Sequence, residues 1–332
     1  MKNKILGEEA TKLMIDAASP DYHKAQASLH ELAKAFEVPV QEAVLNGYIL
    51  DNIFDVQPVP KGKTLEYSID LVTQGNVKNH KAFVLPDTGS IPERHVESDY
   101  IKVNTFQIGN SIDCRARLLE VGSFDIMKRM VEILAAGFVD KINDDGWRLI
   151  IKALYDRGLK VNDSAAAQGF FTKKLIRAMK TTLLRYGGGN SASNKLRVLT
   201  DVFMSLESLD DMATWDLTQV DDATRREIFM SEDGTVAKIF GVKLHGLFEF
   251  GVGQTYQKYY ENTLGGTMTS GKEEIVVALS LKNKDSLVMA DESPVEIFED
   301  PTYHRQRRVS LYGWKRHGFA CLDNRVGLIG EI

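Results

Sequence analysis

Cysteine is nearly missing from this sequence, with only Cys114 and Cys321 among 332 residues. Two thiols cannot form a disulfide framework, and this usage is typical of a protein that folds in a reducing compartment. Apolar runs are short too: the longest spans residues 133–139, against the roughly 20 residues that cross a bilayer. The first residues lack the apolar core of a signal peptide. We therefore expect neither a membrane span nor secretion.

An excess of positive charge is also missing, because 41 Lys and Arg face 46 Asp and Glu, which gives a formal net charge of −5. Dedicated nucleic-acid-binding proteins usually carry a strong basic excess, so the balance argues against that class. The length is typical of about two domains and is sufficient for a sizeable core.

Recognisable motifs for catalysis are missing as well. The segment Gly251-Val-Gly-Gln-Thr-Tyr lacks the third glycine of a dinucleotide loop, and the segment that begins at Gly187 lacks the Gly-Lys-Ser/Thr ending of a phosphate loop. The seven histidines match neither HExxH nor a zinc spacing. Cys321 lies in an apolar strand pattern, which favours a core thiol over a nucleophile. We predict no catalytic residue, no cofactor and no metal.

The first 57 residues are predicted to form an arm of short helices. Ser19 is a candidate N-cap for a helix that begins at Pro20 and carries an apolar stripe to Phe36. A first helical stretch is predicted before it, at residues 7–18. Pro39 is predicted to end the helix that begins at Pro20, and a third helical stretch covers residues 40–53. Such short helices need something else to pack against.

Residues 58–114 are predicted to form a long β-hairpin. Residues 64–72 alternate between apolar and polar, residues 100–108 form a second strand, and turn residues lie between them. An isolated two-stranded ribbon is at best marginally stable in water. The ribbon should therefore lie on its own body or on a neighbouring chain.

A helical period follows at residues 123–156, with Asn143–Gly146 as a possible break. At about 1.5 Å per residue this helix is about 50 Å long. Its predicted apolar stripe comprises Ile126, Met130, Ile133, Leu134, Phe138 and Ile142, continued by Trp147, Ile150, Ile151 and Leu154.

The remaining segments alternate between the two types of element. We predict helices at 169–184 and 202–212, strands at 196–199, 236–240, 242–244 and 275–281, a mobile glycine-rich loop at 251–271, and an extended run at 307–322. The last run contains a basic cluster: Arg305, Arg307, Arg308, Lys315 and Arg316. Because alternate strand residues face opposite sides, its aromatic and basic side chains need not share a surface. We favour an interface or a solvated face over specific nucleic-acid recognition.

This order of elements, from about Val56 to Ile332, resembles the major capsid proteins of tailed bacteriophages, which have the Hong Kong 97-type fold. The resemblance is carried by Asp99–Ile108 placed before the long helix and by the closing run from Arg308, with Gly318-Phe319-Ala320 within it. It implies an α+β fold in five parts: an N-terminal arm (1–57), an extended β-hairpin loop (58–114), a peripheral domain (115–213) with its spine helix (123–156), an axial domain (214–290) and return strands (291–332).

The resemblance also implies a structural protein and not an enzyme. Subunits would assemble in the host cytoplasm into pentamers and hexamers of the icosahedral head shell of the virion, around double-stranded DNA that the shell contacts non-specifically. Implied partners are portal, scaffolding and cement or decoration proteins, and no membrane. We predict subunit-interface residues on the ribbon and in the basic cluster: Tyr67, Ile69, Phe83, Val84, Arg305, Arg307 and Arg308.

Two family features are not expected here. Some members carry a scaffolding segment that a protease removes, but only about 57 residues precede the ribbon. Others form Lys–Asn cross-links, for which Lys78 or Lys81 and Asn324 are only loosely placed. The alternatives left open are an encapsulin-type compartment, which shares this fold, a phage tail or baseplate component, and an α+β enzyme with an unrecognised site.

Overall fold

A computed structural model describes residues 12–47, 50–70, 98–120, 124–186, 197–215, 236–282 and 284–332. Residues 12–17 are helical. The further α-helices are α1 (Tyr22–Gly47), α2 (Ala116–Glu120), α3 (Phe124–Arg157), α4 (Lys173–Tyr186), α5 (Leu206–Asp210) and α6 (Thr255–Lys258). The strands are β1 (Asp55–Pro58), β2 (Leu65–Asp70), β3 (Ser98–Val103), β4 (Phe106–Arg115), β5 (Lys160–Asn162), β6 (Asp201–Met204), β7 (Val236–Ile239), β8 (Val242–Gly246), β9 (Ile275–Leu279), β10 (Leu287–Glu299), β11 (Arg308–Cys321) and β12 (Gly327–Glu331).

Three sheets organise the described residues. A four-stranded sheet has the order β1-β10-β11-β4, and a six-stranded sheet has the order β5-β12-β9-β6-β8-β7. The third sheet is a two-stranded antiparallel ribbon of β2 and β3, in register from Leu65 opposite Val103 to Asp70 opposite Ser98. We call this pair the ribbon. The predicted strand at 100–108 is in fact two strands, because the chain leaves the ribbon after Val103 and β4 pairs with β11.

The long helix α3 matches its prediction to within one residue at each end. Most of the predicted stripe is buried, from Met130 to Leu154, but Ile133 is 46% exposed because it lies one residue away from the row that contains Leu134. The helix continues through Gly146. A Cβ there would lie 2.3 Å from the side chain of Leu50, so this glycine permits a close approach of the chain and does not end the helix.

The N-terminal arm departs from its prediction. Helix α1 begins at Tyr22 and continues through Pro39 to Gly47. The proline removes one backbone donor, at a cost of roughly 3 kcal/mol. Burial of Val40 and Val44 beyond it offsets this cost, at about 1.5–3 kcal/mol for each side chain. These side chains belong to the main core, the large cluster of buried apolar side chains around α3, so the described part of the arm packs on its own subunit.

Two local predictions in the second half are wrong. A strand is expected at 196–199, but the strand in this region is β6 at Asp201–Met204. All four of its residues are buried between two apolar layers. The loop expected at 251–271 contains α6 and a π-helical turn at Tyr259–Thr263, because Tyr256 and Tyr260 insert into the main core. The strands expected at 236–240, 242–244, 275–281 and 307–322 are confirmed as β7, β8, β9 and β11.

The six-stranded sheet draws its strands from three separated parts of the chain. β6 precedes the predicted boundary at residue 213, β7 to β9 follow it, and β12 lies within the predicted return strands. Helix α4 covers one face of this sheet, where Ile176, Met179 and Leu183 meet apolar side chains of β8 and β12. On the other face Trp147 of α3 packs edge-on against Phe203. The division into domains stays a prediction.

Adjacent residues of α3 provide a test of this packing. We expect Leu134→Ala, which empties a position that is 1% exposed, to lower the free energy of unfolding by about 2–5 kcal/mol. Ile133→Ala should change it by less than about 1 kcal/mol, because the side chain is 46% exposed. Urea unfolding of soluble subunits measures both, and equal losses would contradict the assigned face of the helix.

Candidate assembly surfaces

One carboxylate ties both ends of the ribbon to the four-stranded sheet. Glu292 of β10 is 8% exposed. Its Oε1 accepts a hydrogen bond from the backbone N–H of Gly62, before β2, at 3.0 Å, and its Oε2 accepts one from the hydroxyl of Thr105, after β3. Arg316 of β11 donates to the same carboxylate at 3.2 Å. We call Gly62, Thr105, Glu292 and Arg316 the ribbon base.

The electrostatics of the ribbon base favour the ionised form of Glu292. Three contacts hold the pKa of this carboxyl below its usual range, against the effect of burial. They are the hydrogen bond from Thr105, the hydrogen bond from the Gly62 backbone and the guanidinium of Arg316. Gly318 allows the chain to cross closely here, because a Cβ would lie 2.3 Å from the carbonyl oxygen of Asn104. The base is therefore fixed by both charge and backbone contact.

A small apolar cluster lies next to the ribbon base. It is formed by Val59, Val103, Ala290 and Ala320, with Leu65, Tyr67 and Leu322 packed against it. Tyr67, a predicted interface residue, is thus half-buried against its own subunit, and burial raises the pKa of its hydroxyl. It anchors the ribbon where the ribbon leaves the body.

The other predicted ribbon residues extend beyond this anchor. Ile69 lies in β2, opposite Asp99 of β3. Phe83 and Val84 lie outside the described residues, as do Lys78 and Lys81. Their role in an interface stays a prediction.

The outer face of the four-stranded sheet carries a strip of partly exposed aromatic rings. Phe298 and Tyr312 stack across β10 and β11 at 5.7 Å, and Trp314 meets Tyr312 edge-on at 6.0 Å. Trp314 covers Gly109 of β4, where a Cβ would lie 2.6 Å from the indole ring. Phe298 is 41% exposed and Trp314 is 40% exposed, so part of the apolar surface of each ring is available to a partner.

The structure divides the basic cluster between the two faces of β11. Arg308 pairs with Asp113 at 3.1 Å on the same face as Tyr312 and Trp314. Lys315 is 2% exposed and pairs with Asp291 on the opposite, buried face at 2.8 Å. Arg305 and Arg307 are exposed just before β11. Basic and aromatic side chains do share the outer face, but the five basic residues do not form one patch.

Neither of the two cysteines has the lowered pKa of a reactive thiol. Burial raises the pKa of Cys114 to about 11 and that of Cys321 to about 12, so both thiols stay protonated. The described ranges contain no group of three or more His, Cys, Asp or Glu that could hold a metal ion. Their helices include none that is long and apolar enough to cross a membrane.

Sequence reasoning missed the ribbon base. Glu292 is separated from Thr105 by 187 residues and from Gly62 by 230 residues. A single acidic residue in a strand gives no local signal for partners at such separations, and only the folded sheet brings them together.

No protein-family model matches this sequence, and a search of curated proteins gives no significant match. Solved structures do match. The cyanophage Pam1 capsid asymmetric unit matches with a TM-score of 0.56 at 13% identity, over 85% of this chain and 88% of that chain. The head structure of Helicobacter pylori bacteriophage KHP40 gives 0.52 at 10% identity, over 86% and 90%.

A third similar structure is the holo-SrpI encapsulin complex from Synechococcus elongatus PCC 7942, with a TM-score of 0.50 at 11% identity, over 85% of this chain and 86% of that chain. The chain therefore has the α+β fold that phage capsid subunits share, and the resemblance drawn from the sequence is confirmed at the level of the fold.

Replacement of Glu292 tests the ribbon base. We expect Glu292→Gln to lower the thermal stability of soluble subunits at neutral pH. Because the folded-state pKa is depressed, the contribution of the carboxylate is present above its unfolded-state pKa and is lost as pH falls through the folded-state value. The difference in melting temperature between wild type and variant should therefore shrink below about pH 4.5.

The matched control is Glu296→Gln on the same strand, because Glu296 pairs with exposed Lys61 and exposed pairs contribute little. Faster hydrogen exchange at the Gly62 amide in Glu292→Gln alone would locate the effect. A melting difference that does not vary with pH would refute the assigned role.

Proposed function

We propose that this protein is a major capsid protein, a structural subunit and not an enzyme, which self-assembles into the icosahedral head shell of a bacteriophage around double-stranded DNA. The observation that carries the proposal is the likeness to phage capsid and head structures over 85–86% of this chain and 88–90% of theirs. An α+β enzyme or a tail component has no comparable support.

The ribbon supports a function in assembly. Its two strands form a sheet of their own, and the apolar contacts with the body that the structure describes for it lie at its base, around Val103 and Tyr67. A two-stranded sheet needs further packing for stability. We propose that the ribbon lies across an adjacent subunit, within an obligate interface of roughly 2,000–5,000 Å².

Exposed apolar side chains supply further candidate contacts. Phe248 and Val252 are 78% and 62% exposed in the segment between β8 and α6. Such exposure is costly for a free subunit and is relieved when a neighbour covers the side chains. We propose that this part of the six-stranded-sheet region closes rings of five and six subunits.

The proposed partners follow from the shell. They are further copies of this chain, a portal, scaffolding proteins, and cement or decoration proteins on the outside. The subunit would be made in the host cytoplasm and would end in the virion. DNA contact would be electrostatic and non-specific, in keeping with a net charge of −5.

An encapsulin-type compartment is the second candidate, because an encapsulin complex is among the similar structures. The contents of purified particles separate the two functions. A phage shell holds nucleic acid that becomes nuclease-sensitive on disruption, whereas a compartment holds a protein cargo that mass spectrometry identifies.

Removal of the ribbon tests its proposed role. Tyr67 and Ile101 are cross-strand partners, so residues 68–100 can be replaced by Asn-Gly, a two-residue loop suited to a hairpin. We expect soluble, folded subunits with near-normal urea unfolding but no closed particles under negative-stain microscopy.

The full chain, purified in parallel, is the control and should give closed shells. Shells of normal diameter from the shortened chain would contradict the proposed ribbon contact. Small oligomers from the full chain under all assembly conditions would contradict the capsid function itself.

A further inference from the structure

A cavity of about 520 Å³ opens on the six-stranded sheet, on the face opposite α4. Its charged lining consists of Lys238 on β7, Lys243 on β8, Lys282 after β9, and the pair Asp201 and His245. Asn52, between α1 and β1, lies at its rim. This site played no part in the predictions from sequence.

Two of the lysines lie directly opposite each other. Lys238 and Lys243 are cross-strand partners in the antiparallel pair of β7 and β8, where like charges destabilise a sheet. Asp201 is the register partner of Lys243 on the other side, but its carboxylate is hydrogen-bonded to Nε2 of His245 at 2.9 Å.

The described lining of the cavity therefore carries a net positive charge. It holds three ammonium groups and one carboxylate, and none of the three lysines forms an ion pair with a described residue, although Lys243 also interacts electrostatically with Asp201. All three lysines are exposed. A repulsive lysine pair at an open, positively charged cavity favours an anionic partner.

The composition of the cavity favours phosphate over protein carboxylates. Protein–protein interfaces are depleted in Lys and enriched in Arg, and Arg is suited to bidentate contacts with carboxylates. Among the described residues, this cavity is lined by lysines and by no arginine. Lysine binds phosphate as a point charge and needs no fixed geometry, which suits a polyanion held without sequence specificity.

We infer that this cavity is a contact site for the phosphate backbone of the packaged DNA, so that this face of the six-stranded sheet lines the interior of the shell. The inference rests on the proposed capsid function and deepens it, because it assigns the DNA contact to three named residues. Because the cavity is locally positive, it can contact DNA although the whole chain carries a net negative charge.

The test compares two triple variants with the same change in net charge. The first is Lys238→Gln, Lys243→Gln and Lys282→Gln. The matched control is Lys34→Gln, Lys63→Gln and Lys258→Gln, at exposed positions away from the cavity. Both should fold, and the first should melt no lower than wild type because it removes the cross-strand repulsion.

Binding of a short DNA duplex to soluble full-length subunits is measured by fluorescence anisotropy over a series of salt concentrations. Each lost phosphate contact makes the slope of log K against log salt less negative by about 0.9. We expect a change of about 2 to 3 in slope for the cavity variant, with weaker binding, and a smaller change for the control. Equal slopes in the two variants would overturn the inference.

Lysine acetylation of assembled particles tests the location. In DNA-filled shells the three cavity lysines should be protected relative to emptied shells, whereas Lys34, Lys63 and Lys258 should not change with DNA content. Equal protection in emptied shells, together with loss of assembly in the cavity variant, would make the cavity a subunit contact and refute the inference. Failure of the wild type to form shells would instead refute the proposed function, since the DNA titration uses free subunits.

Discussion

The position of the ribbon on the body depends on one buried carboxylate with three donors. Glu292 accepts hydrogen bonds from the two segments that flank the ribbon and from Arg316 on the neighbouring strand. Removal of one partner would leave a buried charge partly unsatisfied, which costs more than the net contribution of one hydrogen bond. The base of the ribbon is thereby held in a defined position on a sheet that is itself anchored to α1 and α3 through the main core.

The long helix connects the two larger sheets. Its first half packs under β4 and β11, where Phe138 lies against Gly313, and its second half carries Trp147 to the six-stranded sheet. Buried side chains from both sheets belong to one continuous core. The regions on either side of α3 therefore share their stabilisation, whereas the second face of the six-stranded sheet is closed separately by α4.

Elements whose signal is local could be predicted from the sequence, and those fixed by distant contacts could not. The period of α3 and the alternation of β11 are long enough to identify each element without its neighbours. Pro39 and the glycines between 251 and 271 are local breaking signals, and burial of Val40, Tyr256 and Tyr260 overrides them. For the candidate sites, the alternation along β11 correctly predicted that its basic residues face both sides of the sheet. The partners of Glu292, and the three lysines of the cavity, are each brought together only by the order of strands in the folded sheets.

The placement of the ribbon base has a mechanical consequence. The segments that flank the two strands meet at the same carboxylate, so the direction in which the ribbon leaves the body is set at one place. Its six described residue pairs, at about 3.4 Å each, form a lever of about 20 Å. A small rotation at Glu292 therefore displaces the far end of the described strands more than their base, so the contacts of one carboxylate set where that end lies.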